Sequence, residues 1–431
     1  MQDDEYSIQQ KAFQAEVARH FRWNFAVNVL DGAFFWFAVN FVAPSTILPL
    51  YVRHLTDSRL VIGLVGTIAG AGWYLPQLLT ANYVARLPRK KPLVISLGFF
   101  AERLPYLVMA LSAFILAADA PGPAIAWFLL TFAWHTLGAG SIAVAWQEMI
   151  ARVIPVRYRG RLLGIANFGG TAAGLFAAAL AAAILDRYPF PTNFALCFFL
   201  GFLFMVVSWF FLALTREPPL RARRSAISLG EFRRRLPAVL RNDRNFANYL
   251  WARVITVVGR MGMGFLTVYA AERWALSDSQ AGYYAMLLLL GQAAGNVLFG
   301  PLADRRGHKL VLEISVALST LSMVGAVLAP SSTWLYPVFA AVGALSASDI
   351  LSMIGIVMEF AGPEDRPTYI GLANTIPGLF AAVAPVIGGW IASRSNYTMV
   401  FLIGALLSVF AWCVLHWAVR EPRASADLTQ A

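Results

Sequence analysis

The chain has 431 residues, of which 59% are hydrophobic and 13% charged, and its formal net charge is +11. A soluble domain carries about 25% charged residues, so the composition excludes a soluble protein and predicts an integral membrane protein. The two cysteines, Cys197 and Cys413, lie inside apolar segments, which indicates core residues rather than a disulfide framework.

Apolar segments of about 20 residues, each long enough to cross a bilayer as a helix, recur along the chain. A polar segment, 1–24, precedes the first of them and lacks the pattern of a cleaved signal peptide. An Arg-rich connection, 215–245, follows span 6 and predicts an interfacial helix beside anionic lipid, or else a flexible linker. A tail, 420–431, follows the last span. The twelve predicted spans lie near residues 25–51, 60–86, 92–117, 123–150, 160–184, 193–214, 246–271, 280–302, 309–329, 333–359, 367–392 and 397–419.

Positive charge is distributed unevenly over the connections between these spans. Most of the 34 lysines and arginines fall in the two terminal segments and in every second connection, including 215–245. Cytoplasmic loops of membrane proteins carry an excess of lysine and arginine. We therefore predict that the protein lies in the cytoplasmic membrane and that this basic side, which includes both termini, faces the cytoplasm. Because the bases are spread over many segments, the charge indicates topology and not nucleic-acid binding.

Several short stretches occur twice, at corresponding places in the two halves of the chain. The pairs are RWNFA at 22–26 with RNFA at 244–247, LTDS at 55–58 with LSDS at 276–279, YRGRLLGIAN at 158–167 with DRPTYIGLAN at 365–374, and TREP at 215–218 with VREP at 419–422. Two six-span halves in the same order explain these matches. The predicted halves are 25–214 and 246–419, joined by the 215–245 connection.

The connection between spans 8 and 9 places an acid and a group of bases in otherwise apolar sequence. This stretch, GPLADRRGHKLVL at 300–312, has a counterpart between spans 2 and 3, ARLPRKKPLVI at 85–95. The later copy resembles the cytoplasmic signature of the major facilitator superfamily, G-x-x-x-D-R-x-G-R-K. The matching residues are Gly300, Asp304, Arg305, Gly307 and Lys309, with His308 in place of an arginine.

The earlier copy matches the same signature at Arg86, Arg89 and Lys90. It departs from the signature at Ala85 and Pro88, which replace the acid and the glycine. Together with the repeat, the resemblance covers about residues 22–422. It implies an all-α membrane fold of twelve helices in two pseudo-symmetric six-helix bundles.

The resemblance further implies alternating access, with a cytoplasmic charge network that closes the inner side. In this network Asp304 would form a latch with Arg159, Arg161 or the N-terminus of span 5. The absence of an acid at Ala85 suggests that the latch is stronger in the second half. The expected gate residues are Asp304, Arg305, Arg306, Arg86, Arg89, Lys90, Glu148, Arg159, Arg161, Glu359 and Arg366.

Ionisable residues within the spans indicate a transport pathway or a buried pair, because charge is unfavourable in a bilayer. Asp349 and Arg260 are predicted at mid-membrane, where they form either a pair that a proton or substrate breaks or a permanent ion pair, or where Asp349 is a neutral buried carboxyl. Asp31 and Arg253 are partners across the halves, or each pairs within its own half. Spans 1, 4, 7 and 10 line the central cavity in the resembling family. The candidate cavity and coupling residues are therefore Asp31, His135, Arg260, Asp349, Arg253, Trp36, Asn40 and Trp134.

Other polar residues in the spans have simpler explanations. His135 is either a core imidazole with its hydrogen bonds satisfied or a proton carrier. Glu102 and Arg103 are adjacent, so they face different directions on a helix, and we expect packing roles or a buried pair.

The sequence has no phosphate-binding loop, nucleophile elbow or metal-ligand spacing among its five histidines. We therefore predict no enzyme, metal or cofactor. The sequence and the resemblance favour a monomeric secondary active transporter that moves a small organic solute, with protons as the coupling ion and membrane lipids as its surroundings. An uncoupled facilitator, a non-transporting sensor and a lipid scramblase on the same fold remain alternatives.

Overall fold

A computed structural model describes residues 2–219, 239–360 and 366–422, and within these ranges it is helical, without strands. Twelve helical stretches there are long and apolar enough to cross a membrane, which confirms the predicted count and the all-α fold class. The α-helices are Gln2–Val39, Ile47–Leu55, Arg59–Arg86, Lys91–Leu97, Leu104–Leu116, Pro121–Val153, Val156–Arg187, Thr192–Ala213, Arg244–Gly259, Leu266–Trp274, Ser279–Arg306, His308–Leu328, Leu335–Phe360, Arg366–Arg394 and Tyr397–Cys413.

The first helix begins well before the first predicted span. It runs from Gln2 to Val39, so the polar segment before residue 25 is continuous with span 1. The sequence explains this, because neither proline nor glycine occurs between residues 2 and 31. The helix ends where Pro44, which has no backbone N–H, follows a short 3₁₀ turn. Span 1 then resumes as Ile47–Leu55.

The chain divides into two compact units by its contacts. Unit 1 comprises Met1–Val42 with Gly72–Ser228, and unit 2 comprises Ala43–Ala71 with Leu229–Ala431. The segment 43–71 belongs by sequence to the first repeat but packs within unit 2. Glycines of span 2 permit this packing: a Cβ on Gly63 would lie 2.7 Å from the carbonyl oxygen of Pro385 in span 11. Small residues let membrane helices approach this closely.

The helices pack in the same pattern within each unit. In unit 1, span 1 packs on spans 5 and 6, and span 3 packs on spans 4 and 6. In unit 2, span 7 packs on spans 11 and 12, and span 9 packs on spans 10 and 12. Since spans 7 to 12 correspond to spans 1 to 6 in the repeat, each unit is built on one copy of a common arrangement.

The repeated sequence stretches supply the same polar contacts in each unit. In unit 1 the side chain of Asn24 donates to the backbone oxygen of Arg216 at 3.0 Å and accepts from its backbone nitrogen at 2.9 Å. In unit 2 Asn245 makes the same two bonds to Arg420, at 3.0 and 2.7 Å. The residues matched in RWNFA/RNFA and TREP/VREP thus form hydrogen bonds that connect the first span of each repeat to the end of its sixth span.

The glutamates of the same motifs bind the start of the third span in each repeat. Glu217 accepts from the backbone nitrogens of Lys90, at 2.8 Å, and Lys91, at 2.7 Å. Glu421 accepts from the backbone nitrogen of Lys309 at 3.1 Å. A carboxylate at a helix N-terminus satisfies N–H groups that have no partner within the helix and interacts favourably with the helix dipole.

The signature glycine, Gly307, has a structural role next to this cap. Its φ of +87° is a conformation that other L-residues rarely adopt. A Cβ there would overlap the carboxylate of Glu421. The glycine of the signature therefore makes room for the glutamate of VREP.

Candidate functional site

A cluster of charged side chains lies inside unit 2 among spans 7, 9 and 10. The carboxylate of Asp349 pairs with Arg260 through one oxygen and lies 3.3 Å from Nη1 of Arg253 through the other. Ser315 joins them, because its hydroxyl accepts from Nη2 of Arg260 at 2.8 Å and lies 3.3 Å from the Asp349 carboxylate. The structure thus brings together three residues that the sequence singled out, and adds Ser315.

Helix geometry explains why both arginines meet one acid. Arg253 and Arg260 are seven residues apart, which is two turns of an α-helix, so they lie on one face of span 7. The α-helix ends at Gly259 and continues as a 3₁₀ turn, Arg260–Phe265. Asp349 is centrally placed in the helix Leu335–Phe360 of span 10.

The charges of this cluster do not balance. Two guanidinium groups face one carboxylate, and the Asp349 side chain is 23% exposed whereas those of Arg253 and Arg260 are 8% and 13% exposed. The Nε of Arg260 is buried and has no hydrogen-bond partner within the described part of the chain. Ionised groups buried in a protein normally have compensating partners. Among these three side chains the positive charges outnumber the negative by one, and the Nε of Arg260 is a donor without a partner in the described part of the chain.

A cavity of about 350 Å³ lies beside this cluster in unit 2. Arg260 is the charged side chain among its lining residues, and the rest of the wall is apolar or small apart from Ser45. Spans 1, 2, 7 and 11 contribute to it. The lining residues are Pro44, Ser45, Pro49, Ile62, Gly63, Gly66, Arg260, Met261, Gly264, Phe265 and Pro385.

The candidate acid of unit 1, Asp31, has partners within its own unit. The hydroxyl of Ser208 in span 6 donates to its carboxylate at 2.6 Å, and Arg103 and Glu102 lie close enough to act on it electrostatically. Arg253 likewise pairs within its own unit. Of the two arrangements open from the sequence for Asp31 and Arg253, the structure has the one in which each is bound within its own half.

Glu102 and Arg103 form an ion pair with one another, although neighbours on an α-helix face different directions. The reason is local: residues Gly98–Arg103 form a π-helical turn, which changes the direction of successive side chains. Nη1 of Arg103 also donates to the carbonyl of Gly98 at 3.0 Å.

His135 has partners at both ring nitrogens. Its Nδ1 lies 2.8 Å from the carbonyl of Glu102, which only accepts, so Nδ1 carries the hydrogen. Its Nε2 lies 3.4 Å from the hydroxyl of Tyr106. This arrangement satisfies a neutral imidazole and favours the core role over the proton-carrier role.

Three further cavity candidates belong to spans 1 and 4 of unit 1. Trp36 and Trp134 are each exposed over about two fifths of their surface, at 42% and 40%. A Cβ on Gly170 of span 5 would touch the Trp36 ring, so that glycine provides its space. Asn40 is buried and donates to the Trp36 carbonyl at 2.7 Å, where the span 1 helix ends.

The predicted gate residues of the first repeat form part of a network around Lys90. The buried ammonium group of Lys90 donates to the carbonyls of Val84 and Leu87 and lies 3.2 Å from Glu148 of span 4. Burial lowers the pKa of Lys90, and the Glu148 carboxylate opposes this shift. Arg86 and Arg89 are exposed.

The gate residues of the second repeat are placed differently. Asp304, Arg305 and Arg306 are exposed. Nε2 of His308 lies 3.7 Å from Glu359 of span 10. The remaining predicted gate arginines are Arg159, Arg161 and Arg366, whose side chains lie outside the described part of the chain. The latch from Asp304 to Arg159 or Arg161 therefore stays a prediction.

Sequence reasoning missed a group of ion pairs in unit 2, the outer cluster, at the opposite end of the spans. Its members are Arg53, His54, Arg59, Glu272, Asp278 and Tyr397. Arg59 lies 3.2 Å from Glu272 and donates to the carbonyl of Ala392 at 2.7 Å. His54 lies 2.7 Å from Asp278. These contacts join the segment 43–71 of the first repeat to the second repeat.

No group of three or more histidine, cysteine or acidic side chains with a geometry suited to a metal ion occurs among the residues that the structure describes. The polar groups of the candidate site are instead arginine, aspartate and serine. Arginine and serine donate hydrogen bonds to anions, and aspartate takes up and releases a proton.

Comparison with known proteins decides the family. The family model of the Major Facilitator Superfamily matches residues 30–270 and 250–431. The chain belongs to the major facilitator superfamily. This membership confirms the resemblance found in the signature motifs, and it confirms the prediction that the chain is not an enzyme.

Individual relatives of this superfamily protein align over part of their length. The niacin transporter NiaP of Acinetobacter baylyi is 26% identical over 153 residues, which cover 36% of this chain and 35% of that protein. The 3-(3-hydroxy-phenyl)propionate transporter of Escherichia coli K12 is 30% identical over 151 residues, 34% of this chain and 36% of that protein. The chain thus spans about a third of the length of each.

A solved structure shares the fold of this superfamily protein over nearly all of both chains. The crystal structure of the nucleoside transporter NupG has a TM-score of 0.66 at 13% identity, and the match covers 91% of this chain and 98% of that one. At this identity the match shows a common fold.

Proposed function

We propose that this superfamily protein is a secondary active transporter that carries a small organic anion together with a proton by alternating access. The observation that carries the proposal is the cluster of Arg253, Arg260 and Asp349 beside the 350 Å³ cavity of unit 2. This cluster has the excess charge to bind an anion and an acid that can take up a proton.

The excess positive charge supports an anionic solute. Arg253 and Arg260 carry two positive charges against the single negative charge of Asp349, so the cluster attracts a carboxylate that takes the place of Asp349 once Asp349 is protonated. Arg260 lines a cavity whose wall is otherwise mostly apolar, and its Nε has no hydrogen-bond partner in the described part of the chain. Guanidinium groups bind carboxylates with paired hydrogen bonds, and the apolar wall suits a ring or short hydrocarbon chain. The two relatives above are named for niacin and 3-(3-hydroxy-phenyl)propionate, both of which are aromatic carboxylates.

Competition for the arginines supports coupling to protons. While Asp349 is ionised, it occupies Nη1 of Arg260 and lies beside Nη1 of Arg253. Protonation removes its charge, so the guanidinium group of Arg260, which lines the cavity, is released toward an incoming carboxylate. Loss of the proton restores the pair and expels the anion. One proton would then move with one monovalent anion in the same direction, and the loaded site would have the charge of the empty one.

The outer cluster supports alternating access. Its ion pairs hold the first-repeat segment 43–71 on the second repeat, and this segment forms part of the cavity wall. An outward opening of the cavity requires these contacts to separate. We propose that these contacts close the outer side of the cavity. We also propose that the exposed bases of the signature loops and both termini lie on the cytoplasmic side of the cytoplasmic membrane. We propose a monomer, surrounded by membrane lipids.

The test uses purified protein in liposomes with an inside-alkaline pH gradient. Radiolabelled benzoate, its uncharged analogue benzamide and the cation benzylamine serve as three probes of one size. We expect benzoate to accumulate above the level that passive entry of benzoic acid gives in protein-free liposomes, and an ionophore that collapses the gradient should abolish this difference. Accumulation of benzamide or benzylamine in preference to benzoate would contradict an anion site.

The same vesicles separate the alternative functions. An uncoupled facilitator would add no pH-driven accumulation of benzoate beyond that of protein-free liposomes. A lipid scramblase would flip fluorescent phospholipid probes, and a non-transporting sensor would move no probe of any kind.

A further inference from the structure

A second and larger cavity lies in unit 1, away from the candidate site. It has a volume of about 850 Å³ and lies where span 3 begins and span 6 ends, beside the helix that leads into span 1. The proposed transport site does not use this space, although Arg89 of the predicted gate lines it. Its two ends differ in chemistry.

Basic side chains line the end at the predicted membrane surface. They are Arg89, Lys91 and Arg216, and span 3 begins at Lys91. Arg216 is held in place, because its backbone is bound by Asn24 and its guanidinium group lies 5.0 Å from the centre of the Trp23 ring. Contacts made before a ligand arrives reduce the entropy lost on binding.

The acids at this end do not cancel the three bases. Glu217 lines the cavity, but its carboxylate already accepts from two backbone nitrogens and lies 3.7 Å from Arg152. Glu16 is the other lining acid and is exposed. The remaining charge favours an anion at this end.

Aromatic side chains line the other end, deeper along the spans. Trp209 of span 6 is fixed by its ring nitrogen, which donates to the Ile95 carbonyl at 2.9 Å, and its ring lies 5.1 Å from that of Phe99. Phe100 is 60% exposed. It lies nine residues after Lys91, which is about 13 Å along a helix. This is the distance from the headgroup region of a bilayer into its hydrocarbon.

We propose that this cavity binds an anionic phospholipid. The headgroup phosphate would contact Arg89, Lys91 and Arg216, and the acyl chains would lie along Phe99, Phe100 and Trp209. A soluble anion would leave the aromatic end unoccupied, and a zwitterionic lipid would gain less from three bases. The connection that follows Pro218 is rich in arginine, so its charge disfavours it as an occupant of a basic cavity.

The second repeat keeps a counterpart of Arg216, Arg420, but lacks the other features of this site. Aligned by the signature and by the TREP/VREP match, it has Leu310 for Lys91, Ser319 for Phe100 and Cys413 for Trp209. One lipid site per chain is therefore expected, and it belongs to unit 1.

The test measures lipid binding to the delipidated full chain in detergent by native mass spectrometry and by the shift in thermal unfolding. The probes are palmitoyl-oleoyl phosphatidylglycerol, the phosphatidylcholine with the same chains, and inorganic phosphate. We expect phosphatidylglycerol to bind with a stoichiometry of one and to outcompete the other two. Equal binding of phosphatidylcholine, or equal stabilisation by phosphate alone, would overturn the proposal.

Three sets of variants assign the binding to this cavity. R89A/K91A/R216A should weaken phosphatidylglycerol binding at least tenfold, since each base near a membrane surface contributes about 1 kcal/mol. The charge-conserving R89K/K91R/R216K should bind as the parent does. The control R187A/R241A/R394A removes three exposed bases elsewhere and should also bind normally. Undiminished binding in the first variant would overturn the site.

A single apolar substitution keeps the test valid if the triple variant does not fold. Phe100→Ala removes a ring that is largely exposed, so its effect on folding is expected to be small. It should weaken phosphatidylglycerol binding without changing the response to inorganic phosphate. An unchanged affinity for the lipid would mean that the aromatic end does not hold acyl chains.

Discussion

Replacement of Asp349 by asparagine removes one charge from the cluster in unit 2 and keeps the size of the side chain. The variant leaves two guanidinium groups, those of Arg253 and Arg260, without their carboxylate. The contact with Arg253 spans 3.3 Å. At an effective dielectric constant of about 20, such a pair attracts by about 5 kcal/mol before desolvation is subtracted.

Desolvation offsets much of that attraction, so the net effect is smaller. Removal of one partner of a buried ion pair destabilises proteins by about 3–5 kcal/mol, because the other charge stays buried without compensation. The Asp349 side chain is 23% exposed, which places the expected loss near the lower limit of that range. The second variant, Arg260→Gln, should lose a similar amount. The double variant should lose less than the sum, with a coupling energy of about 2 kcal/mol.

Equilibrium unfolding in mixed detergent micelles, followed by tryptophan fluorescence, measures these free energies. Asp31→Asn is the matched control, because Asp31 is buried and accepts hydrogen bonds from Ser208 and Trp146, and no ion pair to it occurs among the residues that the structure describes. Its expected loss is about 1 kcal/mol. If Asp349→Asn were as stable as the parent, or if the double variant lost the full sum, the cluster would not be the compensated ion pair described above.

Three other predictions concern the caps and the outer cluster. Glu421→Gln should lower the free energy of unfolding by about 1 kcal/mol, because it removes the charge that caps the Lys309 backbone nitrogen. Glu217→Gln should act similarly in unit 1. Thermal unfolding that is unchanged in both variants would exclude a capping role. Gly307→Ala should destabilise by about 1–3 kcal/mol because of its positive φ and the overlap with the Glu421 carboxylate, and a normal melting temperature would contradict this. Glu272→Gln should increase the labelling of a cysteine placed at Ser45 by a membrane-impermeant maleimide from the outer side, whereas labelling equal to that of the parent would remove the outer cluster as a closure.

The features of the fold that depend on local sequence were predictable. Long apolar stretches without helix breakers gave the twelve spans, and the matched motifs gave the two repeats. The pairing of Arg260 with Asp349 was also within reach of sequence reasoning, because a charge in a bilayer needs a partner and few were available. The early start of the first helix was missed, although the lack of glycine and proline before residue 32 indicated it.

The contacts that depend on packing between distant segments could not be predicted in the same way. Asn24 and Glu217 occur in the repeated motifs, so the sequence draws attention to them. Their partners are known only from the folded chain: Asn24 binds the backbone of Arg216, and Glu217 binds the N-terminus of span 3. The π-helical turn that lets Glu102 pair with Arg103 has no simple sequence signal. The outer cluster was missed because its loops carry few bases, so charge counting gave them little weight.

The coupling of proton and anion at Asp349 is tested most directly by comparing two modes of benzoate movement in the Asp349→Asn variant. Accumulation against a gradient requires the carboxylate to take up and release a proton, whereas exchange of labelled for unlabelled benzoate requires the arginines alone. We predict that the variant loses the accumulation in excess of that in protein-free liposomes and retains exchange. Accumulation at the parent's level in Asp349→Asn would contradict the account, because the proton would then be carried elsewhere.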